Sequence, residues 1–122
     1  SALQKLVEKL NVNTKTKFHL IADENQTRPS SQVEHQLYNI VLELVNNVLK
    51  HAQATEVWIS LSQTEAQLSL TVSDNGVGMP EEMQHEGMGM RNLKGRVETL
   101  KGELKIESEV NKGTKVSVEI LL

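Results

Sequence analysis

From Val33 to Ala52 the apolar residues Val33, Leu37, Ile40, Val41, Leu44, Val45, Val48 and Ala52 recur at the spacing of an α-helix for about five turns. A helix with so continuous a stripe on one side cannot stand alone in water; it must bury that stripe against another layer. The rest of the chain supplies segments that alternate with period two. TKFHLIAD puts Phe18, Leu20 and Ala22 on one side. Residues Glu56 to Leu61 and Leu68 to Val72 read as a hairpin joined by the polar turn around Ser62 to Ala66. ELKIESE and KVSVEILL form a second hairpin across VNKGT. Two further segments have helical spacing: LQKLVEKL near the start, and MGMRNLKGRVETLKG through Met90, Leu93, Val97 and Leu100 to a stop at Gly102. Ser30 or Ser31, with Glu34 three residues beyond Ser31, marks the start of the long helix as a capping box. The order is helix, strand, long helix, hairpin, polar connector, helix, hairpin. It predicts a two-layer α/β sandwich, one sheet covered by helices on one face.

A chain of 122 residues forms one such domain and carries one site. Thirteen basic residues against sixteen acidic ones, no basic stripe and only Phe18, Tyr38 and Trp58 as aromatics exclude the electrostatics and stacking that a polynucleotide needs. The absence of cysteine removes disulfides and thiolate metal sites and suits a reducing compartment, so the expected location is cytoplasmic. No apolar run approaches the roughly 20 residues that cross a bilayer. The first residues already have helical spacing, so the chain is expected to be a piece of a longer protein, which other segments could anchor in a membrane. Residues 1–12 then read as the end of a linker or dimerisation helix, and residues 13–122 as the functional domain.

Two segments carry chemistry. In ELVNNVLKHA, Glu43 and Asn47 lie about 40° apart on the helix, and Lys50 lies about 60° from Asn47, all flanking the apolar stripe. Mg2+ takes one or two protein oxygens and completes its octahedron with phosphate oxygens and water, so the amide of Asn47 is a sufficient anchor. Glu43, one turn back, can accept a proton or polarise water. Lys50 adds positive charge for phosphates, and His51 beside it can touch the same ligand. The same residues taken alone also describe a plain solvated helix face.

In DNGVG, Asp74 directly follows the strand LSLTVS, as expected of a side chain at a sheet edge. A carboxylate only accepts hydrogen bonds, which suits the exocyclic amino group of adenine, and such a charged bond is worth about 1.5–3 kcal/mol. Gly76 and Gly78 permit positive φ and close approach of backbone to a base. Asn-Gly is equally a common hairpin dipeptide. Gly87 and Gly89 open the next helix, where amides can receive phosphate charge and glycines can serve as hinges. GMGMRN follows a loop instead of a strand, so it is not a dinucleotide fingerprint, and no GxxxxGK[ST] loop is present. Met79, Met83, Met88 and Met90 crowd the connector, as gap-fillers or as a mobile cover. Gly113-Thr114 reads as a hairpin turn.

ELVNNVLKHA, DNGVG, GMGMRNLKGRV and KGTKVSVEI, in that order, closely resemble the ATP-binding catalytic domain of bacterial two-component sensor histidine kinases, in particular the nitrate-sensor-like subfamily whose asparagine motif ends in KHA. The resemblance runs from about Val33 to the end. It implies the Bergerat ATP-binding fold of the GHKL superfamily, with a mixed, mostly antiparallel sheet. It implies ATP and Mg2+ as ligands, with Asn47 holding the metal and Glu43 as candidate base. Lys50 and His51 would lie near the sugar and phosphates, and Asp74 would read adenine. Gly76, Gly78, Met79, Gly87, Met88 and Gly89 would bind nucleotide around a lid, and Thr114 would support adenine recognition. The lid here is short and lacks the phenylalanine-bearing box of many other sensor kinases.

The phosphoacceptor of this subfamily is a histidine followed by an acidic residue on a dimerisation helix. His19 precedes Leu20, His35 Gln36 and His51 Ala52, while His85 precedes Glu86 but lies in the lid. The chain therefore carries the donor pocket and not the acceptor. The expected partners are ATP, a histidine-bearing dimerisation domain of the same protein and a downstream response regulator, with no nucleic acid and no membrane contact by this segment. Two other readings share the motifs: an ATPase of the wider superfamily in which Glu43 activates water, and a non-catalytic nucleotide-binding module or serine-directed kinase.

Overall fold

The computed structural model describes residues 2–22, 31–64, 66–78 and 88–121, the side chains of residues 88–90 excepted. Its elements are α1 (Ala2–Asn13), β1 (Lys17–Ala22), α2 (Ser31–Asn47), which runs on into a π-helical turn (Val48–Ala52), β2 (Glu56–Gln63), β3 (Gln67–Asp74), α3 (Met88–Thr99), β4 (Gly102–Glu109) and β5 (Gly113–Leu121). The strands make one five-stranded sheet in the order β1-β2-β3-β5-β4. Only β1 and β2 are parallel, Phe18 opposite Val57, and a parallel pair needs a crossover. The long helix α2 lies on that crossover. The two hairpins expected from alternation form as antiparallel pairs, Ile59 opposite Val72 and Ile106 opposite Val116.

The period-two pattern decides which face is covered. Along β3, Leu68, Leu70, Val72 and Asp74 are buried, while Ser69, Thr71 and Ser73 are only half-buried. The buried set joins Val57, Ile59, Val116, Val118 and Ile120 from neighbouring strands, Ile40, Val41, Leu44 and Val45 from α2, and Leu93 and Val97 from α3 in one core cluster. The helices therefore lie on one face of the sheet, as a two-layer sandwich requires. On the outer strand β4, Glu103, Lys105, Glu107 and Glu109 are all exposed, and Lys105 pairs with Glu107 at 3.1 Å.

α1 is longer than the two turns expected and buries Leu6 and Val7 in the same cluster. Asn11 at its end clamps the free side of β1: its Oδ1 accepts from the Phe18 amide at 2.7 Å and its Nδ2 donates to the Phe18 carbonyl at 3.0 Å. One side chain thus imitates a strand partner for one residue.

Two boundaries differ from expectation. The long helix is α-helical only to Asn47; its last turn is π-helical and ends at Gln53 in the left-handed region, φ 51°. α3 ends at Thr99, before Gly102, and Lys101 takes the positive φ of 56°. Gly102 opens β4, where a Cβ would lie 2.8 Å from the Glu119 carbonyl. Of the two candidate caps of the long helix, Ser30 lies outside the described residues, and Ser31 is itself the first helical residue. No described helix is long and apolar enough to cross a membrane.

Candidate functional site

The site forms where β3 ends. Asp74 is the last residue of that strand, flanked by Val57 on β2 and Thr114 on β5. It therefore sits at the end of a central strand and not, as expected, at a sheet edge. The strand's alternation points its side chain to the helix-covered face, where it is 7% exposed, and Thr114 beside it is 8% exposed. They are the buried polar or charged residues among those described. Burial pushes the Asp74 carboxyl above its ordinary range, and the backbone amides of Gly76 and Thr114, donating to it, offset part of that rise. The Gly76 amide lies 2.8 Å from Asp74 Oδ1. Ser108 Oγ on β4 lies 2.9 Å from Thr114 Oγ1. A hollow of about 290 Å3 opens beside this group, lined among others by Asp74, Ser108, Lys112, Gly113 and Thr114. At its rim a hydrogen bond from Lys105 and the charges of Lys105 and Lys115 hold the Glu107 carboxyl below its usual range.

The glycines make the turn beyond Asp74 possible. A Cβ on Gly76 would run into the Ala52 carbonyl. Gly78 has φ +84°, and a Cβ there would meet the Glu109 carbonyl at 2.5 Å. Gly113, with φ +103°, passes so close to the Asp74 carbonyl that no side chain fits. Asn-Gly is thus not a hairpin turn here. Asn75 Oδ1 accepts from the amides of Thr55 and Glu56, both at 2.9 Å, and its Nδ2 donates to Thr55 Oγ1 at 2.8 Å. The Val77 amide donates to the Ala52 carbonyl at 2.8 Å. That last bond joins the Asp74 turn to the end of the long helix, so the two motifs of the sequence meet.

On the helix, Glu43 and Asn47 are half-buried, whereas Lys50 and His51 are exposed in the π-helical turn. An i→i+5 turn advances each residue by less than an α-helix does, so the step from Asn47 to Lys50 falls further short of a full circle than the expected 60°. Lys50 is therefore less aligned with Glu43 and Asn47 than the sequence suggested. None of these four residues lines the hollow beside Asp74. Glu43 Oε1 accepts from Arg96 Nε on α3 at 3.2 Å. Among the described residues no group of three or more His, Cys, Asp or Glu could hold a metal. The half-buried amide of Asn47 at the helix end could by itself hold only an ion that takes most of its ligands from elsewhere, as Mg2+ does from phosphate and water.

Met79 and Gly87 lie outside the described residues, as do Met83 and His85. Met88 and Gly89 fall in the first turn of α3, which places their backbone at a helix N-terminus. Neither of the other described histidines lines the hollow beside Asp74. His35 is exposed, and His19 stacks on Trp58 with centroids 5.8 Å apart and bonds Glu56 at 3.0 Å. Sequence reasoning missed Asn75, Ser108 and Arg96. Asn75 stood within a quoted motif and could have been found from its turn chemistry; no local pattern announces the other two.

Residues 32–122 match the family described as histidine kinase-, DNA gyrase B-, and HSP90-like ATPase. The sensor histidine kinase ComP of Bacillus subtilis (strain 168) is 36% identical over 126 residues, an alignment covering 99% of this chain and 16% of ComP. The nitrate/nitrite sensor protein NarX of Escherichia coli (strain K12) is 37% identical over 94 residues, 76% of this chain and 16% of NarX. The chain thus spans 16% of the length of each of these relatives. Among solved structures, the Erythrobacter litoralis EL346 blue-light activated histidine kinase superposes with a TM-score of 0.83 at 25% identity, over 97% of this chain and 40% of that one.

Proposed function

Because the chain belongs to the histidine kinase-, DNA gyrase B-, and HSP90-like ATPase family, we propose that it is the Mg-ATP-binding catalytic domain of a sensor histidine kinase. In this reading it donates the γ-phosphate to a histidine on a separate dimerisation domain of the same protein, for relay to a response regulator. The observation that carries it is the buried Asp74 carboxylate beside Thr114, at the end of a turn hydrogen-bonded to the helix that bears Asn47. An apolar environment strengthens a charged acceptor's bond to the adenine amino group, and the amides of Gly76 and Thr114 offset only part of the cost of burying the carboxylate.

Asp74 reads the base, and Gly76 and Gly78 keep the backbone free of side chains around it. By the family resemblance Met79, Gly87, Met88 and Gly89 bind nucleotide, the two glycines bounding a lid, and Thr114 with Ser108 steadies the far side of the base. Asn47 would hold Mg2+, which supplies charge neutralisation for the triphosphate. Lys50 and His51, exposed at the helix end, add polar contacts near the sugar and phosphates. As the imidazole nitrogen of the acceptor bonds the γ-phosphorus, the bond from that phosphorus to the bridging oxygen breaks, ADP leaves, and Glu43 takes the imidazole proton. Positioning and charge supply most of the rate. Residues 1–12 are the end of a linker or dimerisation helix, packed on residues 13–122 through Leu6, Val7 and Asn11.

The test mixes this chain with a purified dimerisation domain bearing its histidine and γ-labelled ATP. Label is expected on the histidine. A competent acceptor that stays unlabelled overturns the proposal, and steady phosphate release without any acceptor favours the ATPase reading instead.

A further inference from the structure

We propose that Arg96 is a positioning residue for phosphoryl transfer, holding the Glu43 carboxylate in the orientation from which it takes the acceptor's proton. This rests on the reading of Glu43 as the base. Arg96 Nε donates to Glu43 Oε1 at 3.2 Å across 53 residues of sequence, joining α3 to α2. The Glu43 side chain is 19% exposed and that of Arg96 37%. The other ion pairs among the described residues are more open at both partners: 43% and 42% for His19–Glu56, 73% and 54% for Lys105–Glu107, 72% and 69% for Lys112–Glu109. Exposed pairs contribute little, because solvent screens them and two long side chains must be ordered to make them. The Glu43–Arg96 pair is better shielded, and both its ends are mounted on fixed backbone. Arg96 stands next to Val97, 2% exposed, and one turn from Leu93, 0% exposed; Glu43 stands next to Leu44, 3% exposed.

A glutamate on a helix flank samples several rotamers, and a base is useful only in the one that meets the proton. Arg96 engages Oε1, so Oε2 is the oxygen assigned to the imidazole proton. The N–P bond forms, the bond from γ-phosphorus to the β,γ-bridging oxygen breaks with its electron pair leaving on ADP, and the proton moves from imidazole to Oε2. The role assigned to Arg96 runs through Glu43 alone, the side chain it bonds. Its effect must therefore vanish when Glu43 can no longer act, which separates positioning from a general structural role.

The experiment measures label transfer to the histidine-bearing dimerisation domain, ATP affinity by calorimetry and thermal melting for wild type, Arg96→Met, Glu43→Gln and the double variant. Glu43→Gln should slow transfer by about 10²- to 10⁴-fold. Arg96→Met should slow it by about ten- to a hundredfold, with ATP affinity within about twofold of wild type on the same argument. In the Glu43→Gln background, Arg96→Met should slow transfer no further. Wild-type transfer by Arg96→Met, or an equal further loss in the double variant while Glu43→Gln alone is slow, overturns the role of Arg96 and leaves the base intact. Wild-type transfer by Glu43→Gln instead removes the base, and this inference with it. If Arg96→Met melts too low to assay, Arg96→Lys and Arg96→Gln replace it; a faster Lys variant supports the proposal, and equal rates overturn it.

Discussion

At Asp74 the fold holds a carboxylate against its own preference. The raised value means that the native state binds this proton more tightly than the unfolded chain does, whose carboxyl sits at the ordinary 3.8. The contribution of Asp74 to stability is therefore complete below 3.8 and is lost as pH rises through the raised value. Asparagine cannot ionise and can still accept the Gly76 amide. Nucleotide-free Asp74→Asn is expected to melt no lower than wild type at neutral pH, while its ATP affinity falls by about 1.5–3 kcal/mol. Calorimetry and a melting series across pH check both halves, and equal ATP affinity of the two proteins would remove the base-reading role. Wild-type ATP affinity should also weaken as the solution is acidified through the raised value. This residue was legible because its motif is local: an acid, then glycines, after an alternating strand. Arg96 was not, because its partner lies two strands and a polar connector away in the chain, and no spacing rule links a helix flank to another helix flank.

The elements show where such reading stops. The hairpins followed from period two, and the long helix from its stripe. The π-helical turn did not, since Val48 and Ala52 keep the apolar pattern whichever way the last turn is wound. The end of α3 was misjudged because glycine is the common residue for a left-handed cap, yet here the glycine is needed one step later, against Glu119, and Lys101 takes the cap. Two glycines separate close approach from mere permission. Gly76→Ala forces a methyl into the Ala52 carbonyl, so it should cost about 1–3 kcal/mol and weaken ATP binding with it. Gly95→Ala, in the interior of α3 with nothing within 4 Å of the new Cβ, should stabilise by up to about 1 kcal/mol. Denaturant midpoints of the two variants should move in opposite directions.

For the whole molecule, layer order and the covered face were readable because a one-sided helix and half-buried strands admit few partners. The identity of the parallel strand and the attachment of α1 were not, because both depend on contacts between distant segments. Beside the burial of Leu6 and Val7, the attachment uses one side-chain amide: Asn11→Ala leaves the Phe18 amide and carbonyl without their partner and should cost about 1–2 kcal/mol by chemical denaturation, with ATP affinity unaltered. At the opposite margin, β4 sets Glu103, Lys105, Glu107 and Glu109 outward. A strand from a neighbouring copy laid along it would strip water from four charged groups in return for a few amide contacts. Copies of this domain brought to high concentration should therefore remain individual bodies and not knit into one continuous ribbon.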